Sequence, residues 1–247
     1  MSPTDSQMTD RTVVRCVALT KTFGLPSNAL HALRGATCEI ARGSLIALTG
    51  RSGSGKSTFL HLLAGIDEPT TGSITWPAIG GRESLRPGPV AMVFQGPSLL
   101  PPLDVLENVA LPLVLAGASD EGARSASLEA LRLLGLADLA TRLPEELSGG
   151  QAQRACVARV LAGRPQFILA DEPTGQLDGE AGARVVDLLL ETAAHLGAAL
   201  LLSTHDPVMA ERLPTQWHID DGFLRTDALA TRAAHSRGAL DPEAMSS

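Results

Sequence analysis

The chain is poor in aromatic residues, in lysine and in cysteine. Among its 247 residues it has no tyrosine, two tryptophans and five phenylalanines, and Lys21 and Lys56 are its only lysines. The three cysteines, Cys16, Cys38 and Cys156, lack the close spacing of metal ligands and lie in apolar segments. We therefore expect reduced, buried thiols.

Long apolar runs and blocks of basic residues are also missing. No segment approaches the roughly 18 apolar residues of a membrane-spanning helix, and the polar start at residues 1–6 has no secretory signal pattern. We therefore expect a cytoplasmic protein. The net charge is −7, from 20 basic and 27 acidic residues, which argues against a broad electrostatic surface for nucleic acid.

Short apolar runs separated by helical patterns predict the fold class. The runs at residues 13–19 and 33–40 have the content of strands and predict a small antiparallel sheet. Later runs alternate with long helical patterns, which is typical of parallel strands wound with helices. These later runs are residues 45–48, 89–94, 166–170 and 198–203. The expected fold class is α/β.

Two regions depart from this alternation. Residues 97–163 have a mostly helical period, so we expect a helical subdomain there. Residues 217–225 predict a closing hairpin, because Asp221-Gly222 is typical of a tight turn. The length suits one substantial domain, expected at residues 12–225, with disordered ends before and after it, at residues 1–11 and 226–247.

A glycine-rich loop follows the apolar run at residues 45–48. Residues 50–57, Gly-Arg-Ser-Gly-Ser-Gly-Lys-Ser, match the phosphate-binding pattern G-x-x-x-x-G-K-[ST]. Glycines let successive backbone N–H groups face phosphate oxygens, Lys56 supplies a positive charge, and the Ser57 hydroxyl can bind Mg²⁺. A helix expected from Thr58 onwards directs its positive end at the same phosphates. The loop predicts that the chain binds a nucleoside triphosphate.

Two adjacent carboxylates, Asp171 and Glu172, follow the apolar run at residues 166–170. Open α/β sheets bind their ligands at this carboxyl edge of the strands. We expect Asp171 to face a metal ion, directly or through water, and Glu172 to polarise a water molecule for attack on the γ-phosphate. Without the phosphate loop, the same pair would be interpreted as a turn cap before Pro173.

Residues 147–151, Leu-Ser-Gly-Gly-Gln, form the rarest string in the chain. Ser148 is a good helix N-cap, and the two glycines beside it expose backbone N–H groups at the positive end of a helix. The string therefore predicts an anion site. Taken alone, it would equally fit a capping box that merely opens a helix.

These motifs occur in the order phosphate loop, glutamine after a strand, Leu-Ser-Gly-Gly-Gln, Asp-Glu-Pro-Thr and a lone histidine. In this order they resemble the ATP-binding cassette ATPases, over about residues 12–225. The resemblance implies a P-loop NTPase core of the RecA-like type, with an N-terminal antiparallel β subdomain and a helical subdomain. It further implies ATP and Mg²⁺ as ligands. Two copies would sandwich two nucleotides head to tail, as a homodimer, and drive an integral-membrane permease from the inner face of the membrane.

The resemblance also implies roles for single residues. Gln95 would contact Mg²⁺ or the attacking water, His205 would touch the γ-phosphate, and Asp178 would meet the partner copy. Phe23 would stack on adenine where the family usually has tyrosine, although a buried Phe at a strand end is also possible. The catalytic set is Lys56, Gln95, Glu172 and His205, and the metal set is Ser57, Gln95 and Asp171. The nucleotide-binding set is Phe23, Arg51, Ser52, Gly53, Ser54, Gly55, Lys56, Ser57, Thr58, Ser148, Gly149, Gly150, Gln151 and Asp178.

Residues 64–74 and 98–109 resemble the subgroup that serves lipoprotein release, macrolide and peptide efflux, and cell division. By this resemblance, the apolar, proline-rich surface at residues 97–112 would help to receive a helix of the permease; ordinary packing of the lobe would explain it equally well. Two functions remain open at this point. One is the ATPase subunit of a transporter, and the other is an ATP-dependent switch for a permease-like partner that moves no solute.

Overall fold

The computed structural model describes residues 11–25, 28–175 and 177–226. The predicted disordered ends lie outside these residues, apart from Arg11 and Thr226. Within the described ranges, no helix is both long enough and apolar enough to cross a membrane.

The residues that the structure describes include nine strands, which form two sheets. The strands are β1 (Thr12–Phe23), β2 (Leu30–Ala41), β3 (Leu45–Thr49), β4 (Thr71–Thr75), β5 (Val90–Val93), β6 (Phe167–Asp171), β7 (Ala199–Thr204), β8 (Thr215–Asp220) and β9 (Phe223–Arg225). The large sheet has the order β5-β6-β7-β3-β8-β9, in which all neighbours are parallel except β8 and β9. The small sheet is antiparallel, with the order β2-β1-β4.

Within the same described ranges, six α-helices connect these strands. They are α1 (Lys56–Leu63), α2 (Val105–Leu115), α3 (Asp120–Leu133), α4 (Gly149–Gly163), α5 (Gly179–Leu196) and α6 (Pro207–Ala210). Side chains set several boundaries, because the first N–H groups of a helix have no partner inside it. The Asp104 carboxylate caps α2 and the Asp178 carboxylate caps α5, each accepting a backbone N–H of the first turn. Gly197 ends α5 in the left-handed conformation.

The central strands are apolar without interruption because both faces of the large sheet are covered. Alternate residues of β6 enter different cores: Phe167 and Leu169 pack with α1 and the small sheet, whereas Ile168 and Ala170 pack with the helices on the other face. All five residues of β6 are buried. The predicted continuous apolar runs are therefore those of a parallel sheet between two layers.

The structure confirms the predicted α/β class, the antiparallel sheet, the helices between residues 105 and 163, and the hairpin after β8. The three cysteines are free and buried, as expected, and Cys16 and Cys38 face each other on β1 and β2. A hydrogen bond with Cys38 and burial raise the pKa of Cys16. β4 was not predicted, because it is mostly exposed and carries little apolar patterning.

Asn108 organises the segment that leads into α2. It is fully buried, and its amide nitrogen donates to the carbonyl oxygens of Leu100, Leu103 and Asp104 at 3.1, 2.9 and 3.0 Å. Its Oδ1 accepts the Leu100 N–H at 2.7 Å. A single amide thus satisfies four backbone groups in a segment that has no regular structure of its own.

Replacing Asn108 with leucine tests this role. Asn108→Leu keeps the side-chain size but removes the partner of the Leu100 N–H and of the Leu103 carbonyl oxygen, so we expect the free energy of unfolding to fall by about 2–4 kcal/mol. Urea denaturation followed by circular dichroism measures this. Glu129→Leu, on the exposed face of α3, is the matched control and should stay within about 0.5 kcal/mol of the parent. Equal stability of the two variants would contradict the role of Asn108.

Candidate functional site

The loop between β3 and α1 curls tightly because two of its glycines allow close backbone approaches. Gly50 has φ 150° and Gly55 has φ 108°. A Cβ atom on Gly50 would lie 2.3 Å from the carbonyl oxygen of Ile219, and one on Gly55 would lie 2.3 Å from that of Ala32. Side chains at these positions would push the loop away from β2 and β8, so glycine is required for the path of the chain.

Lys56 begins α1 and points back into the loop. Its side chain is only 4% exposed, and its Nζ donates to the carbonyl oxygens of Gly50 and Arg51 at 2.9 and 3.1 Å. A carboxylate oxygen of Glu172 lies 3.2 Å from the same nitrogen. These three oxygens surround the ammonium group and compensate for its removal from water.

Asp171 and Glu172 are oriented by Ser203, which lies on the neighbouring strand β7. The Ser203 hydroxyl donates to Asp171 Oδ1 at 2.7 Å and accepts the Glu172 N–H at 3.0 Å. Glu172 has φ 43°, a left-handed conformation that is uncommon outside glycine. Such strain is typical of functional positions, where the surroundings hold it in place.

His205 follows β7 and reaches the second oxygen of Glu172. Its Nδ1 lies 3.1 Å from Glu172 Oε2, while its ring remains largely exposed. The Glu172 carboxylate therefore joins Lys56 on one side and His205 on the other. Three residues predicted to be catalytic meet at the carboxyl edge of three strands.

A cavity of about 380 Å³ opens in front of this cluster. Ten predicted residues line it: Phe23, Ser52, Gly53, Ser54, Gly55, Lys56, Ser57, Thr58, Gln95 and Glu172. Phe23 is 41% exposed, which excludes the alternative of a buried strand-end residue. The Ser54 hydroxyl is buried and has no hydrogen-bond partner among the described residues. The cavity wall thus combines an aromatic ring, the glycine-rich loop and a lysine.

Three predicted residues, Arg51, Asp171 and His205, lie beside the cavity rather than in its wall. Arg51 faces an adjoining cleft, which His205 also lines. Asp171 is 8% exposed and lies behind Ser203, with Oδ1 already occupied by the serine hydroxyl.

The hairpin turn at Asp221-Gly222 forms a wall of the cavity. The Gly222 N–H donates to the carbonyl oxygen of Ser54 at 3.1 Å, and the Arg34 N–H donates to that of Gly222 at 2.9 Å. The turn residues have φ 45° and 79°, as the Asp-Gly pair predicts. The last hairpin therefore braces the glycine-rich loop, a contact that the sequence pattern did not reveal.

The predicted anion site at residues 147–151 lies elsewhere. Ser148, Gly150, Gln151 and Asp178 line a separate cleft of about 550 Å³ between the helical lobe and α5, and exposed Gly149 lies beside them. Ser148 and Gln151 form a reciprocal capping box: Ser148 Oγ accepts the Gln151 N–H at 3.3 Å, and Gln151 Oε1 accepts the Ser148 N–H at 2.8 Å. None of these residues lines the cavity in front of Lys56.

Comparison with known proteins identifies the family of this chain. The family model described as ABC transporter matches residues 33–175. The chain belongs to the ABC transporter family. As a member of that family it is an ATP-binding subunit and an ATPase.

Sequence relatives of this ABC ATPase extend over almost the whole chain. The lipoprotein-releasing system ATP-binding protein LolD of Alcanivorax borkumensis is 39% identical over 220 residues, covering 86% of this chain and 96% of LolD. An uncharacterized ABC transporter ATP-binding protein of Mycobacterium tuberculosis is 37% identical over 227 residues, covering 88% and 90%. The predicted family resemblance is confirmed, and lipoprotein-release proteins are among the relatives.

Solved structures of ABC ATPases have the same fold. The ATP-binding cassette MJ0796, in a dimeric post-hydrolysis state bound to ADP and Pi, matches with a TM-score of 0.76 and 33% identity, covering 86% of this chain and 98% of that one. CbiO1 of Clostridium perfringens matches with a TM-score of 0.74 and 26% identity, covering 94% and 96%.

Ser203 is one residue of this site that motif reasoning missed, because a serine at a strand end carries no pattern of its own. Ser203→Ala removes two hydrogen bonds that orient the carboxylates, so we expect kcat for ATP to fall about 5- to 30-fold. Steady-state release of phosphate measures this. Ser73→Ala, on the exposed strand β4, is the control and should have the parental rate. Parental kcat in Ser203→Ala would show that the serine does not orient the site.

Proposed function

We propose that the cavity in front of Lys56 binds ATP, with the base on Phe23 and the triphosphate in the loop at residues 50–57. The observation that carries this proposal is a single cavity lined by Phe23, the glycine-rich loop, Lys56 and Glu172, with His205 bonded to Glu172 from the adjoining cleft. The buried, unpartnered Ser54 hydroxyl and the start of α1 supply further donors for anionic oxygens.

Binding of the triphosphate changes the partners of Lys56. Its ammonium group now contacts two loop carbonyls and the Glu172 carboxylate. A phosphate oxygen that takes the place of the carboxylate frees Glu172 Oε1 to accept a proton from water. His205 Nδ1, 3.1 Å from the other oxygen, keeps the carboxylate oriented by donating to it, and in the imidazolium form Nε2 can donate to the γ-phosphate. Gln95, which lines the same cavity, orients the attacking water.

The residues also fit a Mg²⁺ ion that arrives with ATP. Mg²⁺ prefers oxygen ligands and is usually held by one or two protein groups together with phosphates and waters. The Ser57 hydroxyl and the Gln95 amide oxygen line the cavity. Asp171 lies behind Ser203 and would act through water. The described residues contain no cluster of three or more His, Cys, Asp or Glu that could hold a metal unaided. When bound, Mg²⁺ would neutralise charge on the phosphates.

We further propose that a second copy completes the site. The N–H groups at the start of α4 are suited to bind an anion, and they lie in a cleft apart from the cavity in front of Lys56. Head-to-tail pairing of two copies brings residues 148–151 and Asp178 of each to the γ-phosphate of the other. The dimeric state of the related cassette MJ0796 supports this arrangement.

The membrane partner is proposed to dock on the helical lobe. An apolar groove of about 450 Å³ lies between β5, α2 and the end of α4. Leu100, Leu111 and Pro112 line it, whereas Leu106 and Val109 are buried in the lobe, so the apolar segment serves both packing and an open surface. We propose that a permease helix occupies this groove at the inner face of the membrane. Residues 12–225 would form one ATPase domain, with residues 97–163 as its helical subdomain.

Glu172→Gln tests the assignment of the general base. The variant keeps its shape but cannot accept the proton, so we expect ATP hydrolysis to fall by about 10²- to 10⁴-fold while ATP-induced dimers persist. Phosphate release and light scattering with Mg²⁺-ATP measure the two properties. Glu129→Gln on α3 should retain the parental rate. Hydrolysis at the parental rate by Glu172→Gln would refute the assignment.

Mixing two inactive variants tests the composite site. Lys56→Ala destroys the phosphate loop and Ser148→Arg blocks the anion site, so neither variant alone should hydrolyse ATP. In a mixed dimer, one site combines the intact loop of the Ser148→Arg copy with the intact residues 148–151 of the Lys56→Ala copy. Random pairing of equal amounts should restore about a quarter of the parental activity. A site contained within one chain would give no recovery.

A further inference from the structure

The second lysine of the chain, Lys21, lies beside the aromatic end of the cavity. Its Nζ is 4.9 Å from the centroid of the Phe23 ring, a distance at which an ammonium group is attracted to the ring electrons. Lys21 does not line the cavity, whereas Phe23 does. The ammonium group therefore contacts the ring from outside the cavity and leaves the ring available to a bound base.

Lys21 is held in place from the other direction. Its Nζ donates to Asp67 Oδ1 at 2.6 Å and to the Glu68 carbonyl oxygen at 2.8 Å, and its side chain is only 13% exposed. The hydrogen bond from Lys21 holds the pKa of Asp67 below its usual value. The position of the ammonium group is thus fixed by groups that lie outside β1.

The anchor belongs to the segment that follows α1. The Ile66 and Asp67 N–H groups donate to the His61 carbonyl oxygen in the last turn of that helix, at 2.9 and 3.3 Å. Since α1 begins with Lys56, a continuous path runs from the phosphate loop along the helix, through Asp67 and Lys21, to the Phe23 ring. A nucleotide must touch both ends of this path at once.

We propose that Lys21 is a positioning residue for the nucleotide base. It holds the Phe23 ring at the distance from the phosphate loop that a bound nucleotide requires. This inference rests on the proposed role of Phe23 as the base platform. Because residue 23 is phenylalanine and not tyrosine, its ring has no hydroxyl through which a hydrogen bond could fix its position. Instead, the Lys21 ammonium group orients the ring, and this group is itself bonded to Asp67 and Glu68 in the segment that follows α1.

Inorganic tripolyphosphate separates the base from the phosphates, because it fills the phosphate loop and has no base. In the Glu172→Gln background, calorimetry with Mg²⁺ compares the affinities for ATP and tripolyphosphate. Lys21→Met should weaken ATP binding about 3- to 10-fold and leave tripolyphosphate binding unchanged. Lys21→Arg keeps the cation and should stay within about twofold of the parent for both probes. Arg15→Met removes a cation and an ion pair from the same strand, away from the ring, and is the matched control.

A second variant and a double mutant complete the test. Lys21→Gln can still hydrogen-bond Asp67 but carries no charge, so it should also weaken ATP binding and leave tripolyphosphate binding unchanged. This variant keeps the test possible if Lys21→Met does not fold. Once Phe23→Ala has removed the ring, Lys21→Met should cost no further ATP affinity. Equal losses for ATP and tripolyphosphate would overturn the inference, as would unchanged ATP affinity or a full effect without the ring. If Phe23→Ala leaves the affinity for ATP unchanged, the proposed role of Phe23 as the base platform is refuted. If Phe23→Ala weakens ATP binding but Lys21→Met does not, only the proposed role of Lys21 is refuted.

Discussion

The contact between the Lys56 ammonium group and the Glu172 carboxylate is the constraint on which the site depends. It joins the ends of β3 and β6, two strands that are separated in the sheet by β7. The contact is possible because all three strands end at the same edge. Strand β7 lies between them and contributes two side chains. The Ser203 hydroxyl bonds the Glu172 N–H and the Asp171 carboxylate, and His205, just after β7, bonds the second carboxylate oxygen of Glu172. A buried lysine is tolerated there because oxygens surround it on several sides.

Much of this arrangement could be predicted from the sequence, because local patterns carry it. The glycine-rich loop requires glycines where a Cβ atom would lie 2.3 Å from the carbonyl oxygen of another strand, and the carboxylates stand at the end of a buried strand. The contributions that could not be predicted are single polar residues with long-range partners. Ser203 contacts residues more than thirty positions away, and Asn108 satisfies a loop through one amide. Neither residue forms a pattern with its sequence neighbours, so only the folded chain reveals what they do.

Helix α4 links two surfaces that would otherwise be independent. Its first turn carries the predicted anion site next to Ser148, and Arg159, Val160 and Gly163 near its other end line the apolar groove. A helix of 15 residues is about 22 Å long and stiff. Any displacement of its first turn by a nucleotide bound to another copy therefore moves the groove as well. The fold thus places the proposed site of ATP closure and the proposed site of the membrane partner on one rigid element.

The brace between Gly222 and Ser54 has a consequence for biosynthesis. The glycine-rich loop leaves the ribosome early, but the strands on either side of β3 are β7 and β8, and the turn that supports the loop lies between the last two described strands, β8 and β9. A nascent chain that has exposed only its phosphate-binding motif still lacks the walls that shape it. The cavity is therefore built from segments that are synthesised early and late in translation, and it is complete only after Gly222 has been added.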